Sequence, residues 1–229
     1  MTKKTIDQTD DNFQAIESTI SRTEQFIENN QKALTIGFVV IIAIVVIVLG
    51  FNKYYLAPIE LEAQEQIFVA QQYFEKDSFN LALNGDGQYP GFLEIIDNYG
   101  LTDAANVANC YAGISFNKLG KYDNAIKFLK DFDTDDSALG AVANGNIGDA
   151  YAEKGNLKDA SKYYKKAAYN SDNELITPIY LMKLGRVYEA NGNFKSALEA
   201  YEIIKEKYAK TEEGRYIDKY IVRSKASIK

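Results

Sequence analysis

The sequence predicts an all-α protein, with a single N-terminal transmembrane helix followed by a superhelix of stacked helix pairs and a C-terminal capping helix. Three observations predict this arrangement. An apolar segment near the N-terminus is long enough to cross a bilayer. An internal repeat follows it, with a spacing typical of helix pairs. The composition, 46% hydrophobic and 25% charged, is typical of a chain with a packed core.

Residues 1–33 form a polar, partly amphipathic tail before the apolar segment. Five apolar residues recur at intervals of seven: Ile6, Phe13, Ile20, Ile27 and Leu34. Such a spacing is a weak heptad, because most of the positions between them are polar. The pattern leaves two interpretations open, a loosely helical tail or a short helix that self-associates or binds a partner.

Residues 34–51 contain no charged side chain and are flanked by Lys32 and Lys53. At about 1.5 Å per residue they extend about 27 Å, which is close to the thickness of a bilayer's hydrocarbon core. A core helix is rarely apolar on every face for so long, and a cleaved signal sequence needs a short basic leader and a small-residue cleavage site. We therefore interpret residues 34–51 as an uncleaved transmembrane helix, followed by a linker at residues 52–58.

Basic residues near the anchor indicate its orientation. The tail carries four of them: Lys3, Lys4, Arg22 and Lys32. The stretch that follows the anchor carries only Lys53 and Lys76 before the repeats become regular. This bias favours a cytoplasmic N-terminus. In a bacterium it predicts a single-pass inner-membrane protein whose C-terminal part lies in the periplasm.

The internal repeat occupies residues 103–210 in three copies, which begin at Gly113, Gly148 and Gly185 when aligned on a common glycine. Five further positions match. They are an aromatic residue three positions on (Phe116, Tyr151, Tyr188), a glycine seven on (Gly120, Gly155, Gly192), a large residue nine on (Tyr122, Leu157, Phe194), an alanine twelve on (Ala125, Ala160, Ala197) and a large residue sixteen on (Leu129, Tyr164, Tyr201). Small residues at fixed positions allow two helices to approach closely, and the middle glycine turns the chain between them. Each pair has an apolar face that only a neighbouring pair can bury, so the pairs stack.

A degenerate first copy is predicted at residues 59–102. It follows the same steps through Ala70, Tyr73, Asp77, Phe79 and Ala82. An insertion at residues 84–91 then interrupts its second helix. The Asn-Gly-Asp-Gly sequence there lacks the alternating acids and closing Glu of a calcium loop, so it indicates a tight turn that is also a candidate contact surface.

Residues 211–229 follow the last copy and are predicted to form a capping helix. Tyr216, Ile217, Tyr220 and Ile221 fall on one stripe of it. A terminal repeat needs such a cover over its open apolar face.

The segments KLGKYDNAIKFL, EKGNLKDASKYY and ANGNFKSALEAY resemble the tetratricopeptide repeat, which has a period of 34 residues. The copies here are spaced by 35 and 37 residues. They lack the repeat's usual tryptophan and its closing proline. The resemblance implies a TPR-like α-α superhelix.

The residue inventory excludes much enzyme chemistry. The chain contains no histidine, no tryptophan and one cysteine, Cys110. Cys/His zinc sites, histidine-dependent triads, haem histidines and internal disulfides are therefore excluded. No phosphate-binding or dinucleotide motif occurs, so we predict no catalytic residue, no cofactor and no bound metal. The net charge of −6 disfavours nucleic acid as a partner.

The family resemblance implies a concave groove lined by the first helix of each repeat, where protein partners bind. The groove candidates are Tyr111, Ile114, Asn117 and Lys118 in the first intact copy, Asn146, Asp149 and Glu153 in the second, and Lys183, Arg186 and Glu189 in the third. The family's carboxylate clamp, an Asn with several basic residues, looks incomplete here. A solvated polar surface is the competing interpretation for each residue.

The layout of one anchor and a repeat domain resembles the bacterial YfgM-like proteins, ancillary subunits of the Sec translocon. That resemblance implies a non-catalytic envelope scaffold whose partners are the translocon, periplasmic chaperones or their clients. Two alternatives stay open. One is a structural assembly subunit of a larger envelope complex that self-associates through its tail, and the other is a cytoplasm-facing import or chaperone receptor.

Overall fold

The structure is a computed structural model that describes residues 3–170 and 172–228, with side chains from residue 25 onward. It divides into two units, residues 1–57 and residues 58–229. The tail heptad depends on Ile6, Phe13 and Ile20, whose side chains lie outside the described residues. It therefore stays a prediction.

The first unit consists of one long helix, α1 (Lys3–Phe51), and a π-helical turn at Asn52–Leu56. Its apolar side chains are exposed, for example Ile36 at 64% and Ile47 at 68%. Among the described residues this is the one helical stretch long and apolar enough to cross a membrane. The residues predicted as a linker are helical.

The repeats form a superhelix of helices packed in chain order. These are α2 (Ala57–Glu75), α3 (Phe79–Asn84), α4 (Phe92–Asn98), α5 (Asp103–Lys118), α6 (Tyr122–Asp131), α7 (Ser137–Glu153), α8 (Leu157–Asn170), α9 (Thr177–Ala190), α10 (Phe194–Lys207) and α11 (Glu212–Ser227). The three intact copies are the pairs α5/α6, α7/α8 and α9/α10. No strand occurs in the part of the chain that the structure describes.

The repeat positions have the roles that their residue types predict. Gly120, Gly155 and Gly192 turn the chain between paired helices with φ of +72°, +74° and +74°, a left-handed conformation that disfavours side chains with a Cβ. The first glycine of each copy packs against the side chain of the large residue sixteen positions later. A Cβ on Gly185, for instance, would be 2.2 Å from Cε1 of Tyr201.

Polar side chains begin several of these helices. Thr102, Asp136, Asn193 and Thr211 each accept a hydrogen bond from a backbone N–H of the first turn that follows. These N–H groups have no partner within the helix, so a capping oxygen stabilises the helix end. The start of α5 has a second cap, because Glu60 of α2 accepts from the N–H groups of Asp103 and Ala104.

The core is continuous along the stack. One buried cluster extends from α2 to α7 and includes Phe92, Ala112 and Ile147, while a second extends from α7 to α11 and includes Ala160 and Tyr201. Helix α7 contributes to both clusters. Each pair therefore buries its apolar face against the next, as expected of stacked repeats.

The first copy differs from the others because a loop at residues 85–91 separates the short helices α3 and α4. Asp86 fixes this loop: its carboxylate accepts hydrogen bonds from Gln88 N, Tyr89 N and the hydroxyl of Tyr73. The hydrogen bond from the Tyr89 backbone, followed by that from Tyr73, lowers the pKa of Asp86. Phe92 of α4 then re-enters the core and is fully buried.

Helix α11 caps the stack. Ile217 and Ile221 are buried against the preceding pair. Arg223 pairs with Glu189 of α9, whose carboxylate also accepts a hydrogen bond of 2.8 Å from Ser224. Helix α11 therefore covers the apolar face of the last repeat, and the contact between Arg223 and Glu189 fixes it to α9.

Candidate functional site: a groove along the first helices

The first helices of the intact copies, α5, α7 and α9, line an open cavity of about 510 Å³. Nine residues form its walls: Asn117, Lys118, Tyr122, Asn146, Asp149, Ala152, Glu153, Tyr164 and Lys183. Six of them are groove candidates from the sequence: Asn117, Lys118, Asn146, Asp149, Glu153 and Lys183. A surface made by equivalent helices of successive repeats is what the superhelix predicts for a binding groove.

An ion pair crosses the groove between two repeats. Nζ of Lys183 lies 2.7 and 2.8 Å from the two carboxylate oxygens of Asp149. The hydroxyl of Tyr164 donates a further hydrogen bond of 2.7 Å to Oδ1 of Asp149. Both charged side chains are about one-third exposed, at 34% and 36%. The pair is therefore half-buried, and a ligand can reach it from the groove.

Two tyrosine rings contact the lysine of this ion pair. Nζ of Lys183 lies 5.8 Å from the ring centre of Tyr164 and 5.6 Å from that of Tyr180. Burial and, secondarily, the charge of Asp149 raise the pKa of Tyr180 to about 12 and raise that of Tyr164 as well. Both phenols are neutral at physiological pH; both rings contact the Lys183 ammonium group, and the hydroxyl of Tyr164 also donates to Asp149.

Side-chain amides connect α5 to α7. Nδ2 of Asn117 donates a hydrogen bond of 2.8 Å to the carbonyl of Asn146, and Nδ2 of Asn146 donates to the carbonyl of Val142. Oδ1 of Asn117 is buried and has no hydrogen-bond partner among the described residues. The groove thus combines fixed amides with the exposed side chains of Lys118 and Glu153.

Two predicted candidates lie elsewhere. Tyr111 does not line the cavity and instead packs in the first core, stacked on Phe92 with ring centres 5.3 Å apart and edge-on to Phe74 at 4.9 Å. Arg186 is exposed outside the cavity lining. Helix α4, which follows the inserted loop of the first copy, places Phe92 against this face of α5.

Two other residues named from the resemblance are also used within the fold. Ile114 packs against the first core, and Glu189 is bound by Arg223 and Ser224 of the capping helix. Conversely, Tyr122, Ala152 and Tyr164 line the groove although the sequence does not predict them there. The repeat position of Tyr164 predicts a packing role. Its hydroxyl also donates a hydrogen bond to Asp149, and the repeat spacing by itself does not predict this contact.

The described residues contain no group of three or more His, Cys, Asp or Glu side chains placed to hold a metal ion. Cys110 is half-buried, and burial raises the pKa of its thiol to about 11. Thiols are nucleophilic as thiolates, so this environment suppresses its reactivity.

Comparison with known proteins agrees with the repeat pattern. Tetratricopeptide repeat models match residues 141–173 and residues 180–211, which cover the second and third intact copies. These models describe an interaction repeat and not an enzyme family. No curated protein matches the chain.

A solved structure has a similar fold. It is a crystal structure of a variant Podospora anserina protein with nearly identical TPR-like repeats. The two chains are 13% identical and superpose with a TM-score of 0.54, over 72% of this chain and 86% of the other. This similarity concerns the fold alone. Residues 141–173 and 180–211 thus match tetratricopeptide repeat models, and they lie within a TPR-like superhelix.

Proposed function

We propose that this protein is a non-catalytic, membrane-anchored scaffold that binds a protein partner in the groove formed by α5, α7 and α9. One observation carries the proposal. The repeats align their first helices so that Asn117, Asp149 and Lys183 surround one open cavity of about 510 Å³. Tetratricopeptide repeats generally mediate contacts between proteins.

The chemistry of the groove suits an extended protein segment or a partner helix. Amide groups and the ion pair offer both donors and acceptors, as a peptide backbone requires. Exposed Lys118 and Glu153 add opposite charges at the edge of the groove. A ligand with a single strong charge, such as a phosphate, would find Asp149 opposing Lys183.

The membrane anchor supports a role at the cell envelope. Exposed apolar side chains along residues 34–51 are unfavourable in water and favourable in a bilayer. With the orientation that the basic residues favour, the repeats face the periplasm. The Sec translocon, periplasmic chaperones and their clients are then the partners that we propose first.

Crosslinking in native membranes tests the groove. A photo-crosslinking residue would replace Glu153, which is exposed in the groove, and, as a matched control, Glu199, which is exposed on α10. We expect a specific crosslinked protein from position 153 and none from position 199. Equal or absent crosslinking at both positions would contradict groove binding.

A reporter fused after Lys229 decides the topology. If the repeats face the periplasm, a reporter enzyme that works only outside the cytoplasm should be active in this fusion. A reporter active only in the cytoplasm would instead favour the receptor alternative. Deletion of residues 1–33 tests the remaining alternative, a structural assembly subunit. Such a subunit would lose its oligomeric state on deletion, while crosslinking to a client in the groove would persist.

A further inference from the structure

Helix α7 has a second stripe, of mixed polarity, on the side opposite the groove. At about 100° per residue, Gly140, Asn144 and Ile147 lie nearly half a turn away from Asn146 and Asp149. This second stripe lies at the bottom of another open cavity, of about 350 Å³, between the second helices α6 and α8. It adjoins a shallower cavity of about 420 Å³ that shares Asn144, Lys166 and Asn170.

Lysines and aromatic rings surround this surface, which we call the second-helix face. Tyr151 and Tyr163 stack with ring centres 5.5 Å apart. Nζ of Lys130 lies 5.8 Å from each of these ring centres, and Nζ of Lys166 lies 5.2 Å from that of Tyr163. Lys162 adds a third ammonium group, 5.9 Å from the same ring. Contact with aromatic rings holds lysine ammonium groups in place without neutralising them.

These lysines have no acidic partner among the described residues. The ion pairs there involve Lys154, Lys183, Lys205, Arg223 and Lys225, and none involves Lys130, Lys162 or Lys166. Asp133 contributes the one carboxylate of the 350 Å³ cavity, against Lys130 and Lys166. Two lysines thus face one carboxylate in the cavity lining, an excess of positive charge in a chain whose net charge is −6.

The cavity also offers apolar contacts and amide acceptors. Leu129, Phe132 and Ile147 form part of its wall. Asn144 and Asn170 donate their Nδ2 groups to the carbonyls of Gly140 and Ser137, which leaves their oxygen atoms to accept N–H groups. A peptide backbone supplies such N–H donors, whereas a phosphate supplies none.

We propose that the second-helix face is a separate docking site for an acidic segment of a protein partner, in which carboxylates flank apolar side chains. The carboxylates pair with Lys130 and Lys166, and an apolar side chain enters the cavity beside Leu129 and Ile147. Such a site lies on the opposite side of α7 from the groove, so both can be occupied at once. The partner segment matches the site through charge complementarity and an apolar anchor.

Binding of a defined probe tests this site. The full chain in detergent would be titrated into a fluorescein-labelled short peptide of alternating glutamate and leucine, with a lysine and leucine peptide as the probe control. We expect Lys130→Glu combined with Lys166→Glu to weaken binding by about tenfold or more, because two attractions become repulsions. Lys130→Arg with Lys166→Arg keeps the charge and should bind within about twofold of wild type.

A matched variant controls for net charge. Lys195→Glu with Lys207→Glu makes the same charge change on α10, where both lysines are exposed, and should leave peptide affinity unchanged. Circular dichroism would verify that each variant is folded. Equal binding by all four proteins would overturn the proposal. Binding to phosphatidylserine vesicles but not to the acidic peptide, lost in the Lys130 and Lys166 charge reversal, would overturn it in favour of a lipid surface.

Discussion

The residue sixteen positions after each repeat glycine lies directly on that glycine. In the last two copies it is a tyrosine, Tyr164 over Gly148 and Tyr201 over Gly185. The tyrosine fills the space that a glycine leaves open, so the two positions form one packing unit. Tyr164 has a second role, since its hydroxyl donates to Asp149 in the groove. Packing and binding surfaces are therefore coupled through single side chains.

Gly185→Ala should destabilise the protein by about 1–3 kcal/mol, because the new Cβ would overlap the fully buried ring of Tyr201. Urea unfolding followed by circular dichroism measures this change. Gly140→Ala in α7 is the matched control, since its nearest neighbour is the movable amide of Asn170 at 2.9 Å. We expect the control to have little effect, and equal stability of both variants would contradict the packing unit.

At the scale of helices, the contact between α11 and α9 illustrates how an end of the stack is closed. Glu189 lies with only 11% of its side chain exposed and is bound by Arg223 and Ser224. Burial by itself would raise the pKa of Glu189, but the hydrogen bonds from Arg223 and Ser224, together with the charge of Arg223, outweigh it and lower the pKa. The contact between Glu189 and α11 is therefore strongest when the Glu189 carboxylate is charged.

Glu189→Gln should destabilise the protein at neutral pH by about 1–2 kcal/mol through loss of these charged hydrogen bonds. The folded-state pKa lies below the ordinary value of 4.5, so this contribution is present above pH 4.5 and is lost as the pH falls. The difference from wild type should accordingly shrink in urea titrations at about pH 3.

Glu202→Gln is the control for this experiment. Its partner Lys225 is 3.2 Å away, and both side chains are more than half exposed. An exposed pair contributes about 0.5 kcal/mol or less. If Glu202→Gln and Glu189→Gln had the same effect, the inferred role of Glu189 in fixing the cap would be wrong.

At the scale of the whole molecule, the chain combines a long apolar helix with a repeat domain. The superhelix has two open surfaces on opposite sides of α7, the groove and the second-helix face. In a stacked-repeat fold each helix contacts only its neighbours, which leaves both sides of a helix pair open to solvent.

Ile42→Arg should disrupt the proposed membrane anchor. An arginine near the middle of a spanning helix costs about 2.5–3.5 kcal/mol of insertion free energy. Extraction of membranes with alkaline carbonate should release a larger fraction of this variant than of wild type or of the control Ile42→Leu. Release of the wild-type chain itself would contradict a spanning helix.

Much of the fold follows from local sequence features. Gly120, Gly155 and Gly192 indicate the turns because few other residues adopt their positive φ. Small residues at fixed spacing predict close helix pairs for a different reason, since a larger side chain would occupy the space of the paired helix. The groove is harder to predict: Asn117, Asp149 and Lys183 line it as the repeat register implies, but Tyr111 does not.

The sequence by itself determined the apolar helix, the helix pairs and the cap, because hydrophobicity, periodicity and side-chain volume are properties of neighbouring residues. Only the tertiary structure decided which polar residues meet. The Asp149 and Lys183 pair joins residues of successive repeats, and Phe92 of α4 stacks on Tyr111 of α5. The unpaired lysines around Tyr163 likewise come from two helices, so their shared surface depends on how the pairs stack.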